Sequence, residues 1–192
     1  MKFRTVTTTI CTLILGCLAP ASSWAQGGIN EKDFSCTTTP FGVNVDFAGL
    51  GGTNLCITGS ATVNLSCACV GNGGNCTSDS KKAGGTSTIS SSQSFQSKNG
   101  RIMTTFFLTP TPSDADCTGP DVNLQCGGGQ TAKLIKFSTQ DSQPTFTVCT
   151  TTATPGTACT CDSTNTIDTV SCGPVNGTPF PGKHNSCSQL FP

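Results

Sequence analysis

Cysteine is the residue that most constrains this chain. Fourteen cysteines occur in 192 residues. Residues 1–25 read as a secretory signal peptide. Lys2 and Arg4 form a positive start, an apolar stretch follows from Ile10 to Ala19, and Ser23-Trp24-Ala25 places small residues where a signal peptidase wants them. Cleavage before Gln26 leaves twelve cysteines, at Cys36, Cys56, Cys67, Cys69, Cys76, Cys117, Cys126, Cys149, Cys159, Cys161, Cys172 and Cys187. An even number in an exported chain predicts a framework of disulfides.

The apolar content shows why such a framework is needed. After residue 25, Ile, Leu, Val and Phe number 31 of 167 residues, or 19%. That lies just under the ~20% below which burial alone struggles to order a chain. Each native bridge typically contributes ~2–5 kcal/mol, so covalent links are expected to replace a thin core. Charge is sparse and nearly balanced, with 8 basic and 10 acidic side chains after residue 25. That leaves no basic surface for nucleic acid. No stretch after the leader reaches the ~18 apolar residues of a membrane span. The expected product is exported, extracellular, and free of nucleic-acid or membrane partners.

The cysteine spacing carries a repeat. The pattern C-x10-C-x-C-x6-C beginning at Cys56 returns as C-x9-C-x-C-x10-C beginning at Cys149. Val45 and Phe47 lie 9 and 11 residues after Cys36, and Ile135 and Phe137 lie 9 and 11 after Cys126. A tandem duplication follows, with two six-cysteine modules spanning 26–120 and 121–192. Spacing does not choose the bridge pattern.

Thr, Val, Ile and Phe dominate the candidate segments, so an all-β fold is expected, with sandwich-like or barrel-like modules. Val43, Val45 and Phe47 alternate with polar residues. Ala61, Val63, Leu65, Cys67 and Cys69 do the same, which puts both sulfurs of Cys67-x-Cys69 on one buried face. Those two sulfurs would then bridge different neighbours. Further strands are predicted over Arg101–Thr109, Ala132–Ser138, Thr145–Thr150 and Thr164–Ser171. The Ser/Gly/Lys-rich stretch 71–100 reads as an exposed loop, with Ile89 and Phe95 as its anchors. Phe106 and Phe107 are adjacent on a strand and point to opposite faces. Either one is core and the other an exposed contact, or both are buried between two layers.

Catalytic chemistry finds little footing. The single imidazole is His184, and no G-x-S-x-G turn occurs. The one glutamate after the leader is Glu31, the aspartates are scattered, and nothing in the sequence pairs two acids for glycoside hydrolysis. Asp114-Ala-Asp116-Cys117-Thr118-Gly119 starts like a calcium loop, but Gln125 stands where a bidentate Glu is wanted. An acidic turn beside a bridge is the plainer reading. The two Cys-x-Cys pairs could ligate zinc as thiolates, but structural bridges are preferred. No catalytic, cofactor-binding or metal-binding residue is therefore assigned. Sequons at Asn64, Asn75 and Asn176 offer glycosylation sites, Asn176 best of the three because it lies in a turn.

These features together resemble the broad class of small secreted cysteine-rich, effector-like proteins of plant-associated fungi. The resemblance implies action outside the producing cell, by a monomer that binds a host or extracellular protein and modulates defence without catalysis. A cell-wall-associated structural protein, a zinc-binding effector active inside a host cell, and a protease inhibitor using 71–100 as its reactive loop are the alternatives.

Overall fold

The computed structural model describes residues 28–38, 41–76, 80–139, 143–177 and 187. The leader and His184 lie outside them. The described residues form nine strands and one short helix: β1 (Asn30–Cys36), β2 (Gly42–Ala48), β3 (Asn54–Gly71), β4 (Lys82–Phe95), β5 (Arg101–Phe107), α1 (Asp114–Thr118), β6 (Gln130–Ser138), β7 (Thr145–Thr151), β8 (Thr166–Ser171) and β9 (Asn176–Gly177). The protein is all-β and disulfide-rich, as the composition predicts.

Two sheets face each other. The smaller has the order β1-β2-β5, and the larger β8-β7-β3-β6-β9 with β4 on the opposite edge of β3. β3 is the spine. Its 18 residues pair with β4 along nearly their whole length, while its other edge takes β7 near its start and β6 near its end. Alternation decides what lies between the sheets. Leu55, Ile57, Val63, Leu65, Cys67 and Cys69 of β3 point inward and join Val43, Val45, Phe47, Ile102 and Phe106 of the smaller sheet in one buried cluster. Phe106 meets Phe146 edge-on across the gap, with ring centroids 6.2 Å apart.

The strand pairing and the bridges ignore a boundary at 120/121. β3 precedes it, and both β6 and β7 follow it. Four of the six bridges cross it: Cys36–Cys172, Cys56–Cys159, Cys69–Cys126 and Cys76–Cys187. The expected modules 26–120 and 121–192 share one sheet and are one interleaved unit. The spacing likeness does not extend to conformation, since Cys67-x-Cys69 lies within β3 and Cys159-x-Cys161 lies in the loop between β7 and β8. A single core of limited apolar content is better closed by long-range links than divided between two smaller cores.

The middle of stretch 71–100 is also not a loop. Residues 82–95 form β4, in register with β3 from Leu55↔Phe95 to Ala68↔Lys82. Its inward face carries Ala83, Gly85, Ser87, Ile89 and Phe95, and Ile89 is buried. Position 85 faces inward across from Leu65, and it is a glycine because Asp121 and Val122 pass so close that a Cβ would not fit. A strand with so few apolar residues is held by the full ladder to β3 rather than by its own side chains. Residues 82–95, the middle of the segment that the inhibitor reading takes as its reactive loop, are thus held in the sheet.

Candidate partner-binding surface

The outer face of the larger sheet is capped at both ends and open in the middle. At one end Ala68, Val70, Ile135, Cys76 and Cys187 form a small second core, fastened by the Cys76–Cys187 bridge. At the other end, residues 152–165 arch from β7 over β3 to the free edge of β4. There Ser94 N–H donates to Thr157 O at 2.9 Å and Gly156 N–H donates to Ser94 O at 2.8 Å. Between the caps the face presents Thr58, Ser60, Thr88, Ser90, Thr145 and Thr147, with no charged side chain among them. A shallow depression of about 630 Å³ lies over this hydroxyl-bearing floor.

The smaller sheet has a different outer face. Arg101, Met103, Thr105 and Phe107 alternate outward along β5, opposite Asn44 and Asp46 of β2. Met103 is 75% exposed and Phe107 43%, the two large hydrophobics so exposed among the described residues. The adjacent phenylalanines divide as strand geometry allows, with Phe106 in the core and Phe107 outside. Gly42 stands directly across from Phe107, and its missing side chain makes room for the ring; a Cβ there would sit 2.5 Å from Phe107 Cε1. The glycine thus gives the ring a flat backbone to lie on.

Polar contacts brace the same face. Arg101 reaches Asp46 through two parallel bonds, Nε to Oδ1 at 2.7 Å and Nη2 to Oδ2 at 2.5 Å. The hydrogen bond and charge of Arg101 hold the Asp46 carboxyl below the usual carboxylate range. Thr105 Oγ1 donates to Asn44 Oδ1 at 3.2 Å. Met103 is the ridge between two depressions of about 380 and 390 Å³, one reaching Phe95 and Lys98, the other Asp33 and Asn44. Met, Arg and aromatic side chains are the types enriched where proteins meet.

An acid pair that sequence spacing does not reveal lies at the seam of the sheets. Glu31 of β1 shares a hydrogen bond with Asp168 of β8. Partial burial of the carboxyl, then the bond to Asp168, then the negative charges of Asp168 and Asp33 push Glu31 up to about 7. Glu31 as a whole residue is exposed, so the shift belongs to its carboxyl end at the seam.

The other sequence candidates resolve into structural roles. Asp114 accepts from Lys133 Nζ at 2.6 Å and from Leu134 N–H at 2.9 Å, and Asp116 accepts from Ser113 N–H at 2.7 Å. Both acids of the calcium-like stretch are therefore engaged around α1, whose Cys117 bridges Cys67. Cys67 and Cys69 do share a face and bridge different partners, Cys117 and Cys126. Asn64 is half-buried on β3. Asn75 is exposed beside the bridged Cys76. Asn176 sits opposite Ser138 in β9 rather than in a turn, because β6 extends far enough to pair with it.

Comparison with protein-family models, with curated proteins and with solved structures finds no match for this chain.

Proposed function

We propose that this protein is exported and acts outside the producing cell by binding a host or extracellular protein, modulating host defence without catalysis. The six bridges fit an extracellular setting. Among the described residues no helix is long and apolar enough to cross a membrane. The observation that carries the binding reading is the ridge of Met103 and Phe107 on β5. In a chain this poor in large apolar residues, two are spent on the surface, four positions apart on one strand face. Arg101 is fixed beside them, so a partner would meet a preorganised patch.

The test replaces Met103 with a photo-crosslinking residue and, separately, Ser60 on the larger sheet. The reading expects a host or extracellular protein to crosslink at position 103. It also expects that complex to be lost in the Met103→Asp/Phe107→Ser variant. Equal crosslinking at both positions, or binding unchanged in the double variant, would overturn it.

A cell-wall-associated role is the second reading. The uncharged hydroxyl floor around Thr58, Ser60 and Ser90 supports it, because such a surface suits a neutral polysaccharide. Sedimentation with insoluble wall polymer that survives the Met103→Asp/Phe107→Ser change would favour this reading over the first.

A further inference from the structure

Cys56 of β3 and Cys149 of β7 are direct cross-strand partners. Each is bonded to a cysteine of the same tripeptide, Cys56 to Cys159 and Cys149 to Cys161. Two bridges therefore lie side by side. The sulfurs of Cys56, Cys149 and Cys161 all fall within 4.8 Å of one another, and Cys159 Sγ is covalently joined to the first of them. The other Cys-x-Cys pair is built differently, because Cys67 and Cys69 diverge to Cys117 and Cys126.

We propose that Cys56, Cys149, Cys159 and Cys161 form a latent four-thiolate site for one Zn²⁺, filled when a thiol or phosphine reductant opens the two bridges. The geometry is close to what zinc requires. Tetrahedral thiolate sites have Zn–S distances of ~2.3 Å, which places the sulfurs ~3.8 Å from each other. Cys56 Sγ already lies within 4.8 Å of the sulfurs of both Cys149 and Cys161. Within each bridge the sulfurs stand 2.07 Å (Cys56–Cys159) and 2.11 Å (Cys149–Cys161) apart, so each pair has to open by ~1.7 Å once its bond is cut.

The electron count is simple. Each bridge takes up two electrons and two protons and becomes two thiols; a dithiol supplies both and leaves as its own disulfide, whereas a phosphine supplies the electrons, water supplies the protons and the oxygen, and the phosphine leaves as its oxide. Zn²⁺ then displaces four thiol protons and binds four thiolates. Two ligands come from adjacent strands and two from a loop, so the ion would tie the same elements that the bridges tie.

Contacts without sulfur keep the loop in place after reduction. Ser94 holds Gly156 and Thr157, and Cys159 N–H donates to Ser92 Oγ at 3.2 Å. Beyond the tripeptide, Asp162 Oδ1 accepts from Thr164 N–H at 2.8 Å, Thr164 Oγ1 at 2.6 Å and Asn165 N–H at 3.1 Å. Cys56 and Cys149 are buried, whereas Cys159 and Cys161 are only half-buried. Ala158, next to them, borders the open depression over the hydroxyl floor, which gives reductant and ion a way in. Loop 152–165 would then be pinned in oxidising surroundings by sulfur–sulfur bonds and in reducing surroundings by a metal.

The experiment reduces the purified protein anaerobically with a phosphine and titrates it with Co²⁺. The expected result is the visible absorption of tetrahedral cobalt thiolate, saturating at one equivalent and erased by one equivalent of Zn²⁺. The signal should vanish in Cys159→Ser/Cys161→Ser and persist in Cys67→Ser/Cys69→Ser. Because full reduction can unfold the chain, a second measurement starts from limiting phosphine. Alkylation is then mapped by mass spectrometry with and without Zn²⁺. Selective protection of Cys56, Cys149, Cys159 and Cys161 supports the site. The proposal is overturned by absence of the cobalt signal, by its survival in Cys159→Ser/Cys161→Ser, or by protection of other cysteines instead.

Discussion

Cys56 and Cys149 face each other across neighbouring strands and are not bonded to each other. Each reaches instead into the 159–161 tripeptide, so the pair fastens a loop onto the sheet rather than strand to strand. The bridges of this protein thus do different jobs, and their removal should have different costs. Cys36–Cys172 closes a separation of 136 residues and ties the end of β1 to the residue after β8, whereas Cys149–Cys161 closes 12. Loop-closure entropy assigns them ~5 and ~3 kcal/mol in an otherwise unlinked chain. The remaining bridges shorten the longer loop, leaving a difference of about 1 kcal/mol. Denaturant unfolding of Cys36→Ser/Cys172→Ser and Cys149→Ser/Cys161→Ser should show the first as the less stable.

The seam between Glu31 and Asp168 makes stability depend on pH. A carboxyl whose folded pKa is raised favours the folded state while protonated. Glu31's contribution is therefore complete below its ordinary value of 4.5 and lost as pH rises through about 7. Thermal unfolding should occur at lower temperature at pH 8 than at pH 5. Glu31→Gln should shrink that difference by removing the titrating group. An equal pH dependence in the variant would show that the seam is not its source.

Phe146 is fully buried, touches Phe106 edge-on and lies beside Gly59, where an added Cβ would approach Leu108 Cδ2 at 2.7 Å and the Phe146 ring at 2.8 Å. Removing the ring and adding a methyl here should both be felt. Phe146→Ala is expected to cost ~3–5 kcal/mol and Gly59→Ala ~1–3 kcal/mol in denaturant unfolding.

The exposed ridge should behave in the opposite way. Met103→Asp is expected to change stability by no more than ~0.5 kcal/mol. Phe107→Ala should cost ~0.2–1 kcal/mol through loss of the ring over Gly42. Partner binding should fall in both while circular dichroism stays the same.

Much of this architecture can be read in the residues themselves. The alternation from Ala61 to Cys69 announces a strand with one buried face, and it correctly sends Cys67 and Cys69 to separate partners. β4 is harder to read. Its fourteen residues hold five serines and two threonines before any rule of alternation becomes visible, and β3 supplies the ladder that orders them. Hydrogen exchange should therefore find peptides across 82–95 protected to an extent comparable with β3, where an exposed loop would exchange at once. Partnerships between distant residues are not legible at all. Glu31 meets Asp168 only where the two sheets come together, and Cys56 meets Cys149 only because β3 gathers strands from both halves of the chain. The repeat in cysteine spacing suggests a division that this gathering overrides. At the candidate surface, sequence separates Phe106 from Phe107 by face, but only the position of Gly42 shows where the outer ring rests.

Every peptide link from Cys36 to Cys187 lies inside the span of Cys36–Cys172 or Cys76–Cys187. A protease that nicks the backbone once anywhere in that interval releases no fragment. The severed pieces remain tied and, where the cut falls in a surface connection, still packed. For a molecule working among digestive enzymes, damage would then accumulate as scars rather than as loss.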